Sequence, residues 1–383
     1  MTFSLSPELD ELRASLRRLA ESEIAPNAVA ADADSQYPWD SWHAWQRAGF
    51  AGLAFPEAFG GQGGGVLAHA IAVEEVARVC GSSSLFVFIS KLGCTALLDH
   101  GSDALKAKYL PRVASGECQA SYCLSESEAG SDVASMQTRA VRDGDHYVLN
   151  GRKMWITNAG VSDFYTVFAK TDPDAAHRGI SAFVVEKDFP GFSVGKLEHK
   201  MGMRGSPTGE IVLDDVVVPA ENLIGEEGHG FYYAMGALDR SRPLVGAQAL
   251  GLAQAALELA ARYVQERRQF GHAIAEFQGL QFMLADMAMQ VEAARLLVYR
   301  ACALLDDGGD GTAMASSVSK AFAADTAMKV TTDAVQLLGG VGYTTDFPAE
   351  RYMRDAKVTQ IYEGTNQVQR VVIAKHLLDQ YRP

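Results

Sequence analysis

The sequence predicts an α+β multidomain fold: a helical N-terminal domain, a β-barrel or sandwich in the middle, and a four-helix bundle at the C-terminus. Three observations carry this. Residues 1–117 show helical patterning. Residues 118–225 break into short runs rich in Val, Ile, Phe and Tyr, punctuated by turn-formers. Residues 226–383 return to apolar residues at alternating steps of three and four.

Taken in order, Ser6-Pro7 is a helix start, because Ser caps free N–H groups and Pro is tolerated at the first helical position. That helix is expected to stop before Pro26, since the residue ahead of a proline is pushed out of the helical region. A Gly-rich loop, Phe55 to Gly65, interrupts the domain, and helical patterning resumes near Val66 and near Ala104. In the middle, His146–Leu149, Lys153–Thr157, Phe164–Lys170, Ile180–Glu186, Phe192–Leu197 and Glu210–Val218 read as strands. Asp143-Gly144-Asp145, Asn150-Gly151, Asp172-Pro173-Asp174 and Pro190-Gly191 read as the turns between them. In the last region three stripes each mark a long amphipathic helix: Leu252 to Tyr263, Phe282 to Leu296, and Ala321 to Leu338. The loops at Gly271-His272 and Asp306–Gly311 are short, which gives an antiparallel bundle.

The chain has 383 residues, 48% hydrophobic and 21% charged, too apolar for a disordered protein. Its formal net charge is −13, which gives no global attraction for nucleic acid. Five cysteines without a CxxC argue against a disulfide scaffold or zinc ribbon and fit a reducing compartment. The N-terminus has no signal-type segment, and no apolar run approaches the roughly 20 residues of a membrane helix. The expected location is the bacterial cytoplasm, or the mitochondrial matrix for a processed eukaryotic protein. No two histidines lie close enough for a local metal pair, so no metal site is expected, and GxxxxGK[ST] and GxGxxG are both absent. Gly191-Phe192-Ser193-Val194-Gly195 matches G-x-S-x-G, but Pro190 precedes it and a strand-like pattern follows, the wrong setting for a nucleophile elbow.

Four segments carry candidate chemistry. Tyr122 to Asp132 holds serines and a glycine in a turn that can form an anion nest, or merely cap a helix. Lys153 to Asn158 sets Trp155 and Thr157 on one side of a strand, where they suit a planar ring or simply fill a core. Gln336 to Tyr343 puts three glycines after a long helix, either a C-cap or a close approach to a bulky ligand. Ile361 to Gln367 isolates Glu363 between Tyr362 and Gly364. Buried, it would become a base of raised pKa; exposed, it is an ordinary acid.

Together, in this order and spacing, the four segments resemble the acyl-CoA dehydrogenase family over essentially the whole chain. The Phe55–Gly61 loop, the Lys200–Ser206 stretch, Asp239–Pro243 and Glu266–Gly271 add to the resemblance. One departure is Ser127, where the family usually has Pro. The resemblance implies a homotetramer, a dimer of dimers, with one FAD per subunit held without a Rossmann motif. It implies that Tyr122, Leu124, Ser125 and Ser131 form the flavin turn, and that Trp155 and Thr157 pack on the ring. Arg267, Gln269, Phe270 and Gln278, with Gln336, Gly339 and Gly340, resemble the patch that receives the partner subunit's FAD, and Thr365 and Gln367 resemble further contacts. Ser131, Asp239, Arg242, Tyr362 and Gly364 fall at acyl-CoA positions, and Glu363 at the position of the catalytic base.

The implied reaction is α,β-dehydrogenation of an acyl-CoA thioester. Glu363 takes the α-proton, the β-hydride goes to the flavin, and electrons leave to an electron-transfer flavoprotein. Some family branches carry the acid at the position of Ser241, and Glu363 here favours the usual arrangement. The resemblance also admits an acyl-CoA oxidase, a dehydrogenase of a carrier-bound acyl group, or a silent helical scaffold. A short to medium acyl group is the preferred substrate, with the pocket floor placed near Leu92–Leu98 and Tyr362.

Overall fold

Ser6 opens the first helix as its side chain predicts. Its Oγ accepts the Leu9 N–H at 3.4 Å, Pro7 takes the first helical position, and α1 runs Pro7–Leu19. The computed structural model describes residues 4–382. The first helix ends ahead of Pro26, as expected, although short helical turns carry the chain on past it. A π-type turn at Ala20–Ile24 shifts the hydrogen-bond register, and a 3-10 turn at Ala25–Asn27 puts Pro26 at its start, where a missing N–H costs little. Then follow α2 (Ala28–Ala33), α3 (Trp39–Arg47), α4 (Gly65–Ala77), α5 (Gly81–His100) and α6 (Asp103–Ala114). The loop before α4 folds tightly on itself: a Cβ at Gly61 would lie 2.1 Å from the Phe55 carbonyl oxygen.

The β region forms one sheet of eight strands. These are β1 (Ala120–Cys123), β2 (Arg139–Asp143), β3 (His146–Thr157), β4 (Phe164–Lys170), β5 (Ile180–Glu186), β6 (Phe192–Leu197), β7 (Thr208–Pro219) and β8 (Leu223–Ile224). The order is β6-β7-β3-β2-β4-β5-β8, with β1 parallel to β4. Two runs expected as separate strands are halves of β3. Asn150-Gly151 is not a turn but a register shift against β7, because both halves stay paired to that one partner. Strands β1 and β2 lie outside the expected runs, each too short to declare itself. Side chains of β4 alternate between two cores: Phe164 and Phe168 join α5 and α6 on one face, while Tyr165 and Val167 meet Tyr147, Phe183 and Val216 on the other.

After the sheet come α7 (Gly230–Glu266), the small hairpin β9 (Arg268–Gln269) and β10 (His272–Ala273), and then α8 (Gln278–Asp306) and α9 (Thr312–Leu338). The chain ends with α10 (Ala349–Thr359) and α11 (Asn366–Gln380). Helix α9 packs against α7, α8, α10 and α11. Helices α4 and α5 pack on α7, so the first and last regions share one large core. This explains a departure from the hydropathy reading. Helices α5 and α7 are long and apolar enough to cross a membrane by composition, yet the most apolar window of α5 is 89% buried within the fold and that of α7 is 72% buried. All five cysteines are free and buried: Cys80 and Cys302 in the large core, Cys94 and Cys118 on the α5–α6 face of the sheet, Cys123 on the other face.

Candidate active site

Between α10 and α11 the chain makes a strained turn. Glu363 has φ 53° and Gly364 φ 89°, two consecutive left-handed residues, the first of them not glycine. Its neighbours hold it in place. Lys320, from α9, donates to the Gly364 carbonyl at 2.9 Å and to Asn366 Oδ1 at 3.1 Å. Gln369 Nε2 donates to the carbonyls of Gly364 at 2.9 Å and Glu363 at 3.2 Å. Asn366 in turn donates to Asp325 Oδ1 at 2.7 Å. Thr365 caps α11 by accepting the Val368 N–H at 3.2 Å. Tyr362 hydrogen-bonds Gln248, which donates to Ser84 Oγ at 2.7 Å.

Glu363 is half-buried, with one carboxylate oxygen turned inward. Its Oε2 is buried and has no hydrogen-bond partner among the described residues. Burial pushes its pKa up to about 7, with Ser241, Lys320 and Arg242 pulling the other way. Ser241 pulls without completing a hydrogen bond, for its own Oγ is buried and unpartnered too. Arg242 adds a third such atom, Nε, while its Nη1 donates to Asp239 one turn back on α7. Burial raises the Asp239 carboxyl, against the opposing charges of Arg242 and His376. Burial, then the Glu363 charge, pushes the hydroxyls of Tyr122 and Tyr362 well above their ordinary range. An orphaned carboxylate oxygen with two orphaned polar neighbours is what a binding site looks like before its ligand supplies the partners. A cavity of about 190 Å³ begins at Ser241 and extends between α4, α5 and α7, lined by Val66, His69, Lys91, Leu92 and Thr95.

The second predicted segment lies on the sheet. Tyr122 sits in β1 and donates to the Ala234 carbonyl of α7 at 3.1 Å. Leu124 and Ser125 begin the turn that follows. The Met154 N–H donates to the Ser125 carbonyl at 2.9 Å, and Lys153 Nζ donates to the Leu124 carbonyl at 2.9 Å and to Glu126 Oε1 at 2.8 Å. Lys153 is fully buried, so this ion pair clamps the turn to β3. Trp155 stands at a second register shift of β3, with φ 64° and 59% exposure, and Thr157 beyond it is half-buried. Ser131 lies exposed farther along the turn.

The third group is apart from these. Arg267, Gln269, Phe270 and Gln278 are exposed around the β9–β10 hairpin, and Gln336, Gly339 and Gly340 are exposed at the end of α9. Tyr263 near the end of α7 packs on Phe347, 5.7 Å between ring centroids, which brings these two sets to the same end of the bundle. A Cβ at Gly339 or Gly340 would touch nothing within 4 Å. No hydrogen bond or ion pair among the described residues joins this end to the Trp155 turn. Gln367 is exposed on the first turn of α11.

Comparison with known proteins decides the family. The acyl-CoA dehydrogenase N-terminal, middle and C-terminal domain families match residues 6–117, 121–216 and 228–378. The chain belongs to the acyl-CoA dehydrogenase family. It is 54% identical over 376 residues to a probable acyl-CoA dehydrogenase, FadE25, of Mycobacterium tuberculosis, covering 98% of this chain and 97% of the relative. Among solved structures it resembles butyryl-CoA dehydrogenase from Megasphaera elsdenii, with TM-score 0.96 and 42% identity over 99% of this chain and all of that one. A chain from a structure described as the electron transferring flavoprotein of Acidaminococcus fermentans matches with TM-score 0.97 and 46% identity, again over 99% and 100%. Membership makes the protein an oxidoreductase of the acyl-CoA dehydrogenase class.

Within this acyl-CoA dehydrogenase, several supports of the site escaped the sequence reading. Lys320, Gln369, Asn366 and Gln248 hold the Glu363 turn, and Lys153 with Glu126 holds the Trp155 turn. A signal existed for two of them. Lys320 shares a helix face with Ala324 and Ala327, and Lys153 lies inside a strand, so each placed a cation on an apolar face. The Lys200–Ser206 stretch is structural here. Asp355 Oδ1 accepts the Met203 N–H at 2.6 Å and Ser82 Oγ accepts the Gly205 N–H at 3.1 Å, tying α10 and α5 to the end of β3, where the Asn158 N–H reaches the Pro207 carbonyl at 2.7 Å.

Proposed function

We propose that the protein oxidises an acyl-CoA thioester to the trans-2-enoyl-CoA, with Glu363 as the base that removes the α-proton. The observation that carries this is the Glu363 carboxyl raised to about 7, with one oxygen buried and unpartnered. A base near neutrality can take a proton from a weak carbon acid that an ordinary carboxylate would leave alone. The Glu363 backbone N–H has no hydrogen-bond partner among the described residues, so it is free to donate to the thioester oxygen as charge builds there. Lys320 and Gln369 keep that N–H and the carboxylate in one rigid turn. Arg242 and Asp239 at the mouth, with Ser131, Tyr362 and Gly364, would position the thioester.

The residues present fit FAD. Trp155 offers an exposed indole on β3, and the clamped turn beside it leaves Ser131 exposed and Ser125 half-buried. Tyr122, Leu124, Ser125, Ser131, Trp155 and Thr157 would hold the flavin of their own subunit, with Thr365 and Gln367 as further contacts. Arg267, Gln269, Phe270, Gln278, Gln336, Gly339 and Gly340, set apart and open, would receive the cofactor of a neighbour in a homotetramer. Bound FAD supplies the two-electron acceptor for the hydrogen leaving the β-carbon, and an electron-transfer flavoprotein is the proposed onward acceptor.

The test is anaerobic bleaching of the purified yellow protein with straight and branched acyl-CoAs, repeated on Glu363→Gln. The variant is expected to keep its flavin and assembly and to lose at least about 10³-fold in turnover, within the span seen for general-base removal. Normal turnover in that variant removes Glu363 from the reaction.

A further inference from the structure

We propose that the cavity beside Ser241 is an acyl subsite for a carboxylate at the far end of the acyl chain, with Lys91 as the cation that recognises it. This rests on the reading above, in which the thioester lies against Glu363. Lys91 projects from α5 into the cavity wall, and among the described residues it forms no salt bridge and no side-chain hydrogen bond. Its ammonium lies over the Phe55 ring, 4.9 Å from Nζ to the centroid. The other charged or titratable groups of the wall are already satisfied. Arg240 is paired with Asp99 at 2.9 Å. His69 is bonded to the Val87 carbonyl at 2.9 Å, and burial holds its pKa down to about 4, so it is neutral. The Thr95 hydroxyl donates to the Lys91 carbonyl at 2.8 Å. The wall therefore carries one uncompensated positive charge.

That charge is in a poor position without an anion. Burial drives the Lys91 pKa down to about 8, the mark of an ammonium stripped of water and not repaid by a partner. The remaining wall, Ala54, Val66, Leu92 and Leu244, accepts methylenes. Ser241 lines the cavity and also acts on the Glu363 carboxyl, so a chain that leaves the reacting carbons past Ser241 runs into this space. A methyl-ended chain would seal the ammonium beside carbon, whereas a carboxylate would answer it with a charge-assisted hydrogen bond.

The test compares two series of matched length on the flavin-loaded protein. One is glutaryl-, adipyl- and pimelyl-CoA, and the other is pentanoyl-, hexanoyl- and heptanoyl-CoA. Binding is measured by calorimetry in Glu363→Gln, where no turnover interferes, with and without Lys91→Met. At one length at least, Lys91→Met is expected to weaken the carboxylate-ended ligand tenfold or more beyond its effect on the methyl-ended one. Lys91→Arg is expected to restore most of the difference. An effect of Lys91→Met that is equal in the two series at every length, whether a loss or none, overturns the proposal. Oxidation of the methyl series by the wild type reports on the dehydrogenase reading separately, so that reading can stand while the Lys91 assignment falls.

Discussion

At the scale of single residues, the Glu363 carboxyl sets a pH dependence of known sign. Its pKa is about 7 in the fold, against an ordinary 4.5. Between those values the folded protein keeps a proton that the unfolded chain has lost. The stability this group contributes is therefore full below pH 4.5 and is lost as pH rises through 7. Glu363→Gln is expected to gain up to about 3 kcal/mol over the wild type at pH 8 and little at pH 4.5, read from urea unfolding at the two pH values. A pH-independent difference would show that the carboxyl is not desolvated. For the same reason kcat/KM should rise with pH through an apparent pKa near 7. Read alone, Glu363 passes for an ordinary acid, and only the resemblance of the four segments together singled it out as a candidate base. Gln369 was not legible in the sequence, since a glutamine on a helix looks the same whether it faces water or a carbonyl five residues back.

At the scale of elements, the Lys153–Glu126 pair joins β3 to the turn that carries Leu124 and Ser125. Removing one partner leaves a fully buried charge unanswered. Glu126→Ala is expected to cost about 3–5 kcal/mol in chemical unfolding, and adding Lys153→Met should recover much of it. A loss below about 1 kcal/mol would mean that water reaches the lysine. Elements whose period matched their environment were readable in advance: the α7 and α9 stripes, and β4 and β5 as continuous apolar runs. The stripe from Phe282 to Leu296 marked α8 as a helix but not its core face: Phe282, Met289 and Leu296 are exposed, and Met287, Val291, Ala294 and Val298 face the core. Elements set by a partner strand were not readable. Asn150-Gly151 has the letters of a turn, but β7 holds both flanks in line and the pair becomes a bulge.

At the scale of the whole molecule, the apolar surface is unevenly spread. Phe270, at 90% exposure, Tyr343, Phe282, Met289, Val371 and Leu378 all lie in the C-terminal region. So large an exposed set calls for cover, which supports the proposed assembly. Phe270 has little to lose within its own chain, so Phe270→Glu should leave the circular dichroism spectrum unchanged. Its expected effect is a smaller particle in sedimentation velocity and a lower flavin-to-protein ratio. An intact particle with full flavin would take Phe270 out of the subunit contact. This arrangement was hidden from periodicity, which marked the stripe from Phe282 to Leu296 as apolar but did not show that it would lie open. The five thiols offer a different kind of reach. They are divided among all three cores, and none meets solvent. A sulfhydryl label thus becomes a clock for breathing motions, marking which compartment parts first as the protein loosens, with no foreign reporter introduced.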